Sequence, residues 1–276
     1  MESLEEYSAW IAIGTLLVLL AWESFQPFFP FFRGKGRERV RHGFRNTLLG
    51  IVNGLMTSLG FVIFWKWAVD WSGAHSIGLL HRVSWPAGIE LAVAVLLLDF
   101  WTYWWHRMNH RIPFLWRFHR VHHADPEMDV TTANRFHFGE IILSSLLRVP
   151  VLILIGAQLW QLAFYEVVMF AVVQFHHANI AVPPWLDRVL RLVTVTPAMH
   201  KVHHSRLQVD TDSNYTSLFS WWDRIFGSFR LRPEMKEIHF GLDEFDAEEN
   251  QTLIGMAKTP FRSGPEIKKE EGTSTL

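Results

Sequence analysis

The sequence predicts an all-α fold: a polytopic transmembrane helical bundle with a cytoplasmic helical cap, the cap holding a histidine-rich metal site. Three observations predict it. Hydrophobic residues make up 49% of the 276, with fourteen Trp and twenty-two Phe, and they gather in runs near the roughly 20 residues that a bilayer requires. Lys and Arg crowd the segments after alternate runs, the asymmetry of cytoplasmic loops. Eleven of the fifteen histidines fall between His106 and His204, beyond the ends of the runs, many at the three- and four-residue spacings that share a helix face.

Taken in order, the spans are expected at residues 9–32, 48–71 and 87–105, then as a weaker pair at 141–155 and 159–175. The first lacks the basic start and small-residue cleavage site of a signal peptide and is expected to remain. Arg33, Lys35, Arg37, Arg39, Arg41 and Arg45 follow it, and Arg107, Arg111, Arg117, Arg120 and Arg135 follow the third. The lead is acidic (Glu2, Glu5, Glu6), residues 72–86 hold only Arg82 among the cations, and 156–160 carry no charge. The histidine clusters are therefore expected on the cytoplasmic side. The fourth run contains Arg148 and Pro150, so it is either a span or half inserted. It and the fifth must both cross or both lie in the interface if His123 and His177 are to meet. Trp101, Trp104, Trp105 and Trp116 fit an aromatic belt, or equally a core. Residues 213–229 read as a packed lid against the membrane surface, and 268–276 as a charged, disordered tail. This divides the chain into N-terminal helices with a basic loop (1–98), a histidine-bearing catalytic region (99–230) and a polar C-terminal tail (231–276).

Composition narrows the chemistry. There is no cysteine, so a metal can be held by nitrogen and oxygen only. A net charge of −1 argues against a nucleic-acid partner. His106 and His110 form an HxxxH box, while His119, His122, His123 and His200, His203, His204 form two HxxHH boxes. Imidazole suits iron, copper, zinc or nickel and not magnesium or calcium. Eight such ligands exceed the four or so of a closed zinc site, whereas two ions with four or five nitrogens each would use them. His177, or His176 beside it, and His137 are further ligand candidates; His42, His75, His81 and His239 read as ordinary residues.

Asp99, Tyr103, His106 and His110 lie along one helical stripe of the third span. A carboxylate inside a span is costly unless paired or functional. Asp99 is thus expected either to accept the other ring proton of a ligand, fixing its tautomer, or to bond another helix; with Tyr103 it is the catalytic candidate. Glu166 is a second carboxylate of this kind. No HExxH pattern is present, and no Ser, Cys or paired-carboxylate constellation suggests a hydrolase. GKG at 34–36 lacks the rest of a phosphate loop and reads as a linker turn, so electrons for any redox step must come from elsewhere.

The run DFWTYWWHRMNHRIPFLWRFHRVHHADPEMDVTTANRFH (99–137), with FHHANI (175–180), TPAMHKVHHS (196–205) and NYTSLFSWWDRIFGSF (214–229), resembles the fatty acid hydroxylase and sterol desaturase superfamily over about half the chain. The resemblance implies an integral membrane di-iron oxygenase: two iron ions, O2 as co-substrate, and hydroxylation or desaturation of a lipid such as a sterol or fatty acid taken from the bilayer. It implies a separate electron donor as partner, a ferredoxin, cytochrome or flavin reductase. By the same resemblance the three boxes supply iron ligands, and the intermediate histidine falls on His177, with His176 beside it. A second intermediate histidine found in some hydroxylases is replaced here by Val173, or by Val172 if counted from His176. His137 is the candidate to take its place, although RFHFGE lacks the proline of the usual RxHPxE and this bears on where His137 points. The rival from another class is a membrane metal transporter or sensor with a cytoplasmic ion site. That rival predicts polar ligands deep in several spans, where only Asp99 and Glu166 lie.

Overall fold

A computed structural model describes residues 2–262; the tail expected at 268–276 lies outside them. The described residues form helices α1 (Glu2–Phe25), α2 (Gly36–Gly60), α3 (Val62–Ala74), α4 (Ala87–Arg111), α5 (Pro113–His123), α6 (Phe138–Ile155) and α7 (Leu159–His177). The shorter α8 (Pro184–Leu190), α9 (Pro197–His203), α10 (Gln208–Thr211), α11 (Trp221–Ile225) and α12 (Leu253–Lys258) follow. Three helices, α4, α6 and α7, are long and apolar enough to cross a membrane, and α2 with α3 makes a fourth if the pair, bent by 45°, is one span. The apolar part of α1 is shorter, covering Ala9–Phe25.

Two expected spans differ in detail. The first helix stops at Phe25 and not at residue 32, because Pro27 has no N–H to continue it; Pro27 instead bridges Ile180 after α7. The run at 48–71 is broken at Phe61, the residue between α2 and α3. The fourth run, by contrast, is one continuous helix through Pro150. Its Arg148 pairs with Glu166 of α7 and lies 4.7 Å over the Trp65 ring, so two intramembrane charges neutralise each other.

The bundle core joins Trp65 and Ala68 of α3, Ala94 and Leu98 of α4, Leu152 of α6, and Leu162 and Tyr165 of α7, all buried, with Leu218 from the cap segment. The turn from α4 to α5 aims the histidine boxes. Ile112 is extended (φ −102, ψ 114), as the residue before a proline is biased to be, and Pro113 then occupies the first turn of α5, where its missing N–H costs nothing. At the far end, α6 closes on Gly156 with φ +75, and a side chain there would meet His81 and Gly78, so glycine alone allows this close approach.

Asp99 is fully buried and takes the second of its expected roles. Its Oδ2 accepts from the Phe219 N–H (3.1 Å) and Trp222 Nε1 (2.9 Å), and its Oδ1 from the Tyr165 hydroxyl (3.1 Å); no histidine is among its partners. Tyr103 does parallel work: its hydroxyl meets Ser228 Oγ at 2.9 Å and accepts from Arg107 at 2.8 Å, while its ring stacks on Phe226. Both therefore fasten residues 214–229 to α4. Replacing Asp99 by Leu leaves the Phe219 N–H and Trp222 Nε1 without their acceptor, at about 1–3 kcal/mol for each unsatisfied group, while the Tyr165 hydroxyl keeps Thr102 Oγ1 at 2.8 Å. We expect a loss of roughly 2 kcal/mol and new protease cleavage within 214–229. An unchanged thermal midpoint with no cleavage would show that these donors are not held by Asp99.

Candidate metal centre

The three boxes reach one place by different routes. The HxxxH box ends α4, the first HxxHH box ends α5, and the last ends α9, whose start is capped by the Thr196 side chain. Arg135, buried at 1% exposure, clamps the end of α5 by donating from Nε to the Val121 carbonyl (2.9 Å). Asp125 then fixes the chain just past the box, meeting His42 at 2.9 Å and accepting from Thr132 Oγ1 at 2.8 Å. Burial would raise the Asp125 carboxyl, but His42 and Arg135 outweigh it and hold it well below the usual carboxylate range.

Nine imidazoles converge in two groups. His106, His110, His119, His123 and His203 form one, and His122, His177, His200 and His204 the other, each with its ring nitrogens within 4.8 Å of one another. Each HxxHH box is shared between the groups, in opposite proportions. His119 and His123, four apart on one face, enter the first group while His122 enters the second; His200 and His204 enter the second while His203 enters the first. His123 and His204 stack at 4.4 Å where the groups adjoin.

The tautomers show what the groups are built for. A carbonyl oxygen only accepts, so His106 Nδ1 must donate to the Tyr215 carbonyl (2.6 Å) and His203 Nδ1 to the Ser213 carbonyl (2.6 Å). His119 Nδ1 donates to Glu140 Oε1 at 2.9 Å. In neutral rings all three Nε2 atoms are then bare lone pairs, yet His106 Nε2 stands 3.1 Å from that of His119 and 3.0 Å from that of His203. In the second group one ring is fixed in the same way: His177 Nδ1 donates to the Val173 carbonyl (2.7 Å), and its bare Nε2 faces those of His122 (3.1 Å) and His200 (2.9 Å), whose own Nδ1 atoms have no protein partner. Lone pairs converging at such distances repel unless a cation lies among them. Two nitrogens each about 2.1 Å from a common ion and at right angles are about 3 Å apart, so the donor set fits one first-row metal ion in each group. Both ring nitrogens of His110 and His123 also lack any protein partner, which a ligand role would satisfy.

Burial keeps the rings neutral. It holds His203 down to about 3, and pushes His122, His123, His200 and His204 well below the ordinary imidazole value. They remain unprotonated, the form that binds metal, across the cellular pH range. Aromatic rings seal the site: Phe136 stacks on His122 at 4.3 Å and Trp116 lies 5.1 Å from His110.

Two of the histidine candidates are not brought into either group. His137 caps α6, its Nδ1 accepting from the Gly139 N–H (2.9 Å) and its Nε2 facing the Ala257 carbonyl (3.3 Å). His176 is buried beside the second group, its ring centroid 3.9 Å from that of His200, without joining it. Glu140 is the residue that sequence reasoning missed. It sits inside the quoted RFHFGE stretch, but nothing in the spacing shows that it reaches His119, 21 residues away. The carbonyls of Val173, Ser213 and Tyr215 left no signal at all, since any residue type supplies one.

Membrane-length helices beside a two-part imidazole cluster that could hold metal define the class to which the chain belongs. The chain belongs to the fatty acid hydroxylase family, which it matches over residues 91–228. Among curated relatives it is 29% identical to an ornithine lipid hydroxylase, OlsE, of Rhizobium tropici, over 48% of this chain and 39% of that protein. It is 29% identical to the alkylglycerol monooxygenase of Homo sapiens over 50% of this chain and 30% of that one, and 41% identical to a cholesterol 25-hydroxylase-like protein of Danio rerio over 22% and 23%. The chain thus spans less than half the length of these relatives. No solved structure matches it significantly.

Proposed function

We propose that this protein is a di-iron oxygenase that hydroxylates, or by the same first step desaturates, a lipid drawn from the bilayer. The observation that carries the proposal is the convergence of the lone pairs of His106, His119 and His203 in one group and of the ring nitrogens of His122, His177 and His200 in the group beside it. Family membership favours iron over the other metals that imidazole accepts. The first group would hold one ion and the second the other, and bound iron would supply O2 reduction and attack on an unactivated C–H bond. The chain's own part is to bind and orient. Glu140 and the three carbonyls lock the rings with Nε2 inward, and Phe136 and Trp116 exclude water, which shields a reactive centre from side reactions. Names among the relatives, an ornithine lipid hydroxylase, an alkylglycerol monooxygenase and a cholesterol 25-hydroxylase-like protein, point to a lipid with a polar head as substrate class.

We further place the centre on the cytoplasmic side, on the strength of the Arg and Lys clusters beside it, with electrons from a separate donor. The transporter reading needs a line of ligands through the spans. Among the described residues, Asp99 is satisfied by three donors and Glu166 is paired with Arg148, so neither is available to pass an ion. Metal analysis of the protein purified without added metal, joined to lipid mass spectrometry of cells with and without it, tests the proposal. Two irons per chain and a lipid gaining one oxygen or losing two hydrogens are expected. A single zinc, or a lipid profile that does not change, would overturn it.

A further inference from the structure

The residues between α7 and the last histidine box, together with the start of the lid segment, leave one apolar surface uncovered. Trp185 is 68% exposed, Leu192 62% and Ile225 64%, and Val189, Val193 and Trp221 are exposed beside them. Trp185 and Val189 stand four apart on α8, and Leu192 and Val193 carry the same face onward by a turn. These residues lie outside α4, α6 and α7 and outside the bent α2 and α3 pair, so spanning the bilayer does not account for them.

They form one body. The Ser220 N–H donates to the Val193 carbonyl (3.0 Å), Trp221 Nε1 to the Leu192 carbonyl (2.8 Å) and Arg224 to the Arg191 carbonyl (2.6 Å), and Thr194 bridges Phe219. The inner side of this body rests on the spans. Leu218 belongs to the bundle core, and Phe219 and Trp222 hang from Asp99, which lies seven residues, about 10 Å, along α4 from His106. The body therefore sits level with the membrane helices and not on the far face of the cap. Arg188 and Arg224 are exposed at its rim, whereas its two acids are buried, Asp187 paired with Arg191 at 3.0 Å and Asp223 accepting from the Tyr215 N–H at 2.8 Å.

We propose that residues 184–193 and 218–225 form an element embedded in the leaflet next to the histidine centre, with lipid as the occupant of its apolar face. Trp and aliphatic side chains on one side with an arginine rim are the composition of interfacial membrane elements, and a patch of this kind left in water is unusual. The same body continues into the metal centre. Thr196 begins the helix that carries His200 and His203, and the Tyr215 carbonyl holds His106. Embedding it fixes the depth of the two imidazole groups at the edge of the hydrocarbon, where a lipid chain can arrive from the side.

The absence of cysteine makes the test direct. Val189→Cys and Ile225→Cys each accept a single nitroxide label in the full chain, reconstituted in nanodiscs of phosphatidylcholine and phosphatidylglycerol. Collision of the label with O2, which concentrates in lipid, is compared with collision with a water-soluble nickel chelate. Leu59→Cys on α2 serves as the lipid reference and Glu244→Cys on the cap as the aqueous one; both positions are exposed. The expected result is a depth parameter shifted to the Leu59 side for both labels, with thermal midpoints unchanged from the parent. Nickel collision equal to that at Glu244 would overturn the proposal, as would spin–spin broadening that shows a second copy on this face.

Discussion

Replacing His177 by Ala is expected to abolish turnover and to drop the iron content from two per chain towards one. His177 is the hub of the smaller group, where its Nε2 faces both His122 and His200, and its removal leaves three imidazoles where there were four. His122→Ala should behave in the same way, and both variants should still insert in the membrane, because neither residue belongs to the bundle core. His137→Ala is the discriminating control. It removes a helix cap, which costs about 1 kcal/mol of stability, and should leave the iron content at the parental value. Metal analysis and thermal unfolding of the three purified variants check this. Full iron loading with activity in His177→Ala, or iron loss in His137→Ala, would reverse the ligand assignment.

The second large effect is expected at Glu140. This buried carboxylate accepts the Nδ1 proton of His119 at 2.9 Å and lies 3.5 Å from Asn109 Nδ2. It fixes which nitrogen of His119 faces into the first group, and on the proposed ligand role such a partnership is worth about 10–100-fold in metal affinity. Glu140→Leu should therefore release iron to a competing chelator at a concentration about 10–100-fold lower than the parent requires. Glu140→Gln, whose amide oxygen still accepts, should fall between, which separates the role of geometry from that of charge. A chelator midpoint in Glu140→Leu equal to the parent's would remove Glu140 from the centre.

The candidate site was legible in the sequence to the extent that it is local. Spacings of three and four residues on helices bring His119, His122 and His123 together, and likewise His200, His203 and His204, whatever the rest of the fold does. The division of each box between two groups was not legible, because it depends on how α5 and α9 are rotated against each other. The second intermediate position shows the same limit. Val173 has no ring to offer, yet its carbonyl holds the Nδ1 of His177, a backbone contribution that residue type does not encode. Asp99 was recognised as anomalous inside a span, but choosing between a histidine and a neighbouring helix required Tyr165, Phe219 and Trp222 to be in place.

The spans show a similar division. Hydropathy located the third, fourth and fifth, since length and apolar content are sums over neighbouring residues. It did not show the bend at Phe61 between α2 and α3, and it carried the first span past Phe25 although Pro27, which ends that helix, stands in the sequence.

By itself the sequence determined the donors, imidazole without thiolate, and the helical spacing that presents them in clusters. The tertiary structure decided which ring joins which imidazole group, which carboxylate holds His119 and which carbonyl holds His106. The physical reason is range: helical periodicity acts over four residues, whereas His106 and the Tyr215 carbonyl that orients it are 109 residues apart, and only packing brings such groups within hydrogen-bonding distance.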